Sequence, residues 1–138
     1  MDVSKCPEYH LHQLTLHLLG VKEQLIPENC DVRCVDATII NRAYYSSYLF
    51  CELWLWIIHD FKVTHPWQFA KGQKRQGEHK QVRTALRYYG ADEIEEELSN
   101  LAKLRNVADY KPYKEITQTG LNEAIMHMEL IFNHLKFD

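Results

Sequence analysis

At 138 residues the chain suits one domain, long enough to bury roughly two-thirds of the surface its unfolded form exposes. With 46% apolar and 25% charged residues it is not a disordered chain, and a formal net charge of −3 is too small to dictate a partner. No basic lead with an apolar core and small-residue cleavage site opens the chain, and the most apolar run, residues 48–58, is broken by Glu52 and falls short of the ~20 residues of a membrane span. Cys6, Cys30, Cys34 and Cys51 form no recognisable disulfide framework, so they read as reduced thiols of a cytoplasmic protein that does not engage a membrane.

In chain order, Leu11, Leu14, Leu18, Val21 and Leu25 recur at three- and four-residue steps and predict a helix over residues 9–26, stopped by Pro27. Asn29 or Asp31 then caps a long second helix, residues 31–60. Its main stripe is Val35, Ile39, Ala43, Tyr44, Leu49, Leu53, Trp56 and Ile57, widened by Tyr45, Tyr48, Trp54 and Leu55. A helix this long, about 45 Å at 1.5 Å per residue, exceeds what a small core needs and suggests partial cover by another subunit. Residues 62–77 contain Pro66, Gly72 and Gly77 without periodicity and read as a mobile basic loop. Residues 78–89 read as a short helix, with Gly90 suited to the left-handed cap after it. Asp92 caps the next helix, which carries Ile94, Leu98, Leu101, Leu104 and Ala108 inward, and Pro112 centres a linker over residues 111–119. The last helix, residues 120–136, shows Leu121, Ala124, Met128, Ile131 and Leu135 at helical spacing. The expected fold is an all-α, up-down bundle of about five helices in a single domain, with consecutive neighbours antiparallel.

Two features point towards chemistry. Arg105 and Asn106 lie at the end of a helix that closes on Tyr110 and Pro112. Arg105 and Tyr110 stand about 140° apart on an ideal helix, so they converge only where it ends or distorts. Arg105 either pairs with Glu97, Asp109 or Glu52, or offers a planar fork to a phosphate, with Asn106 steering it. Between residues 62 and 87 there are seven Lys and Arg residues against one acid, Glu78, and just beyond them come Asp92, Glu93, Glu95, Glu96 and Glu97. With Trp67, Phe69, Tyr88 and Tyr89 nearby, Lys71, Lys74, Arg75, Lys80, Arg83 and Arg87 have the composition of a surface for single-stranded RNA. The alternatives are a solvated loop or a contact with the acidic helix of another subunit or partner. His10 and His12 point to different sides of their helix, and Cys30 and Cys34 lack a paired Cys-x-x-Cys knuckle, so no metal is expected. Phosphate-loop, nucleophile-elbow and His-Glu-x-x-His motifs are absent, and no cofactor is expected.

Two separated stretches resemble the HEPN superfamily of small helical-bundle proteins. Asn41-Arg42-Ala43-Tyr44-Tyr45-Ser46-Ser47-Tyr48 is similar to the Arg-Ala-Tyr-Tyr turn of the family's long early helix, and residues 104–110 to its Arg-Asn signature near the end of a later one. His79 and Ala85-Leu86 fall where such proteins often carry a His and an Ala-Leu pair. The resemblance covers residues 31–135 and leaves the first helix as an addition. It implies a role on RNA, tRNA or mRNA: catalytic members are metal-independent endoribonucleases whose sites face each other across a homodimer. Many are toxins or phage-defence components paired with a small nucleotidyltransferase antitoxin, and others are non-catalytic nucleotide- or protein-binding modules. In this chain the implied site residues are Arg105, Asn106 and Tyr110, with Arg42 and Asp109 in support; the competing role for Arg42 is a surface pair with Asp36 or a carboxylate of the acidic helix. The chain departs from the family pattern at Tyr110, where a histidine is expected, and a phenol of ordinary pKa near 10 is a poor base at neutral pH.

Overall fold

The computed structural model describes residues 1–26 and 31–138. The fold is all-α, built from α1 (Pro7–Leu25), α2 (Val32–His59), α3 (Glu78–Tyr88), α4 (Asp92–Tyr110) and α5 (Gln118–His134). Short 3-10 turns lie at Val3–Lys5 and Pro66–Gln68, and no strand occurs among the described residues. No helix among them is long and apolar enough to cross a membrane.

Most helix ends follow their caps. The Asp31 carboxylate accepts from the Arg33 amide at 3.0 Å to start α2, and Asp60 closes it in the left-handed region, φ 53°, which a short polar side chain tolerates. Helix α1 ends at Leu25; Pro27 and Asn29, which entered the expected break, and Cys30, one of the cysteines weighed for a disulfide or metal, lie outside the described residues. At α4 the cap moves by one residue: Ala91 holds that position without a side-chain bond, and Asp92 joins Glu93 and Glu95 in the first turn, where negative charge suits the helix dipole. Thr117 accepts from the Gly120 amide at 2.9 Å and starts α5 two residues earlier than its apolar pattern suggests.

Helix α2 is the axis of the core. Ile39, Ala43, Ser47, Cys51 and Leu55 form a buried line at four-residue steps, flanked by Ile40, Tyr44 and Tyr48. Leu98 and Leu101 of α4 and Leu121, Ala124, Met128 and Ile131 of α5 complete the packed interior. The buried Ser46 and Ser47 hydroxyls both donate to the Ala43 carbonyl, at 3.0 and 2.8 Å, so their burial leaves no unpaired polar group. Pairing across the bundle fixes direction. Asp109–Asn41 and Arg105–Tyr45 contacts make α4 antiparallel to α2, whereas Ser46–Met128 and Trp54–Lys136 contacts make α5 parallel to α2.

Two expected faces are corrected. Leu49, Trp56 and Ile57 of α2 are exposed, Trp56 by 47%, rather than on the core stripe. Five residues separate Tyr44 from Leu49, a rotation of about 140° that carries the pattern off the buried arc. On α1, Leu14 and Leu25 are exposed, and the buried residues are His12 and Thr15. Their polarity is satisfied locally and across the bundle. His12 Nε2 meets Glu129 Oε1 at 2.5 Å while its ring stacks on Phe132 at 4.1 Å, and the Thr15 hydroxyl donates to the Leu11 carbonyl at 2.8 Å. An ion pair, Lys22 Nζ to Asp36 Oδ1 at 3.0 Å, also ties α1 to α2.

Candidate functional site

The C-terminal end of α4 is held by an arginine from the start of α2. Arg33 Nε donates to the Lys114 carbonyl at 2.7 Å, while its two terminal nitrogens donate to Val107, Ala108 and Lys111 carbonyls at 3.1, 3.3 and 2.7 Å. The last carbonyls of a helix have no partner within it and carry the negative end of its dipole, so a guanidinium is well matched to them. Arg33 therefore fixes where Asp109 and Tyr110 sit. Sequence reasoning gave no sign of this, because the partners are backbone atoms 74 to 81 residues away.

Arg105, one turn earlier, is gripped on several sides. Its Nε donates to Asp109 at 2.9 Å, and one terminal nitrogen donates to the Tyr45 and Tyr110 hydroxyls at 3.0 and 3.2 Å. The guanidinium carbon lies 5.4, 5.3 and 5.1 Å from the ring centres of Tyr44, Tyr45 and Tyr110, an arrangement that favours a cation. Burial works against that charge, but Tyr45, Tyr110 and Asp109 outweigh it and hold the Arg105 pKa above its ordinary value. The other terminal nitrogen makes no hydrogen bond among the described contacts and is not buried. Arg105 and Tyr110 thus converge because α4 stops at Tyr110, a residue that remains 67% exposed.

Asp109 is shared. It also accepts from Asn41 Nδ2 at 2.8 Å, and the Asn41 carbonyl oxygen accepts from Arg42 Nε and a terminal nitrogen at 3.0 and 2.5 Å. Arg42 and Arg105 lie 5.9 and 5.3 Å from the centre of the Tyr45 ring, so two guanidiniums, one of them paired with Asp109, share one aromatic ring. Of the pairings read from the sequence, Arg105 with Asp109 is the one that forms; Asp36 pairs with Lys22 rather than Arg42, and Glu97 pairs with His127 rather than Arg105. Asn106 is exposed and makes no hydrogen bond to Arg105. It does not join the cluster.

Three tyrosines of α2 enclose His79 of α3. Tyr48 stacks on the imidazole at 4.2 Å with 12° between planes, Tyr45 meets it edge-on at 6.2 Å, and the Tyr44 hydroxyl is hydrogen-bonded to its Nδ1. Burial pushes the Tyr44 pKa up to about 12, with Arg105 and Arg83 pulling it partly back. Burial also lowers the His79 pKa, and Arg105 and Arg83 lower it further against the pull of Glu78. The imidazole is accordingly neutral near pH 7. On the far side, burial raises the pKa of Glu52; Glu78 and Glu8 push the same way, against Tyr48 and His65. The buried Tyr48 hydroxyl has no hydrogen-bond partner of ordinary geometry among the described residues, although Glu52 acts on it electrostatically.

No family model, curated protein or solved structure matches the chain. The site's own geometry therefore carries the functional reading. Of the basic residues singled out in the sequence, Arg83 reaches this site electrostatically, acting on both His79 and Tyr44. Arg87 does not: it pairs with Glu95 Oε2 at 2.7 Å, joining α3 to the acidic turn of α4 within one chain. Lys71, Lys74, Arg75 and Lys80 are exposed. The loop bearing the first three is tethered, since the Gln81 amide accepts from the Thr64 N–H at 2.7 Å and donates to the Thr64 and Gln76 carbonyls at 2.9 and 2.8 Å. Among the described residues no group of three or more His, Cys, Asp or Glu side chains is placed to hold a metal ion. Cys51 is fully buried and its thiol pKa is pushed up by that burial, which makes it unreactive. Asn41, Tyr44, Tyr45 and His79 are site residues to which the sequence reading gave no role, although all four lie in stretches it noticed.

Proposed function

We propose that the chain is a HEPN-like protein that binds single-stranded RNA, with Arg105 as its principal phosphate contact. The observation that carries this reading is the Arg105 guanidinium, fixed by Asp109, Tyr45 and Tyr110 with one N–H edge left open. A guanidinium already oriented loses little freedom when a phosphate binds, and the exposed ring of Tyr110 beside it offers a face on which a base stacks. His79 and Arg83 lie four residues apart along α3, a spacing of about 6 Å that suits successive phosphates. Lys71, Lys74 and Arg75 are also exposed and free of ion pairs among the described residues.

Cleavage is a second reading, favoured by the presence of an imidazole, His79, in the cluster that contains Arg105. The homodimer belongs to the proposal as well, formed through the face that bears Arg105 and Tyr110; the exposed Leu49 and Trp56 of α2 supply apolar area for it. A small nucleotidyltransferase partner rests on the HEPN resemblance alone, and the identity of the adjacent gene tests it.

Binding to a mixed single-stranded RNA, measured against salt, tests the main reading. With Arg105, Arg83 and Arg42 as contacts, the logarithm of affinity is expected to fall with a slope of about −2 against the logarithm of salt concentration. Salt-independent binding, or none, overturns it. For the dimer, sedimentation at tens of micromolar is expected to give twice the chain mass, and a monomer mass contradicts the shared face.

A further inference from the structure

The ring of His79 is clamped in position by Tyr48 and Tyr45, so its two nitrogens have fixed surroundings. Nδ1 faces the hydroxyl of Tyr44, a residue only 3% exposed. A buried phenol must donate its proton somewhere, and the one partner this hydroxyl has among the described residues is Nδ1. The phenol therefore donates, Nδ1 accepts, and the neutral imidazole carries its own proton on Nε2. Nε2 has no protein partner among the described residues and is not buried. The rings of Tyr44 and Tyr45 contact both groups: Arg105 lies 5.4 and 5.3 Å from their centres, and His79 lies 5.6 and 6.2 Å from the same two.

We propose that the Nε2–H of His79 is a second, uncharged contact to the RNA phosphate backbone beside Arg105, with Tyr44 as the positioning residue that fixes its tautomer. The inference rests on the RNA-binding reading and deepens it. It gives the imidazole the part of a donor to the phosphate, not of a base. An uncharged donor adds direction without adding to the positive charge of Arg105 and Arg83, and it leaves the salt slope to the arginines.

Nitrogen-15 NMR of the full chain, labelled at histidine, tests this. His79→Gln identifies the His79 signals by their loss. The wild type is expected to show the Nε2–H tautomer, and Tyr44→Phe to shift it towards a mixture. Two titrations follow, one with inorganic phosphate and one with a single-stranded oligoribonucleotide of about ten nucleotides. RNA is expected to move the Nε2 resonance. His79→Ala is expected to weaken RNA binding about fivefold, the size of one net hydrogen bond, and His79→Gln, whose amide reaches the Nε2 position, to recover most of that loss.

An Nδ1–H tautomer in the wild type overturns the proposal, as does an Nε2 resonance that neither ligand moves. If RNA binds and Arg105→Ala weakens it while Nε2 stays still, the RNA reading stands and this inference fails. If phosphate moves Nε2 but RNA does not bind, the RNA reading fails and the anion contact stands. Because the tautomer and both titrations are read on the wild type, a variant that fails to fold does not remove the test.

Discussion

Asp36→Ala is expected to cost about 3 kcal/mol of stability and to lower the melting temperature by roughly 10 °C. Asp36 and Lys22 pair at 3.0 Å with side chains only 9% and 13% exposed. Once the carboxylate is gone, the Lys22 ammonium remains in a site largely closed to water, and an unpaired buried charge is the most expensive outcome of breaking such a pair. The cost falls at the low end of the usual range because a lysine stem is long enough to carry its charge towards solvent. Replacing both residues, Lys22→Met with Asp36→Leu, is expected to recover most of the loss, since an apolar contact of similar volume needs no desolvated charge. Urea unfolding reads the result as a shift in midpoint at constant slope. A loss below about 0.5 kcal/mol for Asp36→Ala, the scale of an exposed pair, contradicts this description of how α1 docks.

Arg33→Ala is the second large effect, expected to cost about 2–3 kcal/mol and also to weaken RNA binding. The side chain makes four hydrogen bonds to carbonyls at and beyond the end of α4. Each charge-assisted bond to a helix end is worth more than a neutral one, and losing all four frees the turn that follows. Because Asp109 and Tyr110 occupy that last turn and both contact Arg105, the variant is expected to lose RNA affinity without losing a residue of the site. Arg33→Lys is expected to restore little, as a point charge cannot reach four separate carbonyls. Unchanged RNA affinity in a folded Arg33→Ala protein contradicts the positioning role.

These two residues also show where the sequence stops being informative. The interior of α5 was legible in full: Leu121, Ala124, Met128, Ile131 and Leu135 recur at helical spacing and all are buried. Most of α4 followed too, because one apolar stripe faces one core. Helix α1 was legible as a helix but its buried side was not, since that side includes His12 and Thr15, whose partners become known only when α5 lies against α1 and when the local backbone carbonyl is placed. A polar residue reads as exposed until a distant partner is known. The same holds at the site. Arg105 and Asp109 are one helical turn apart and their pairing can be read from spacing. The enclosure of Arg105 by Tyr45 and the capture of His79 by Tyr44 need α2, α3 and α4 assembled. Asn106 was expected in the site because it adjoins Arg105, yet one residue is about 100° of rotation and turns its side chain away.

The central claim is that Arg105 holds RNA phosphate, and the affinity of Arg105→Ala for the RNA that the wild type binds, compared at one fixed salt concentration, tests it most directly. Losing a bond to a charged group of about 1.5–3 kcal/mol predicts a weakening of roughly 10- to 150-fold, with a shallower salt dependence by about one phosphate contact. A folded Arg105→Ala protein that binds this RNA as tightly as the wild type, with the same salt slope, contradicts the account.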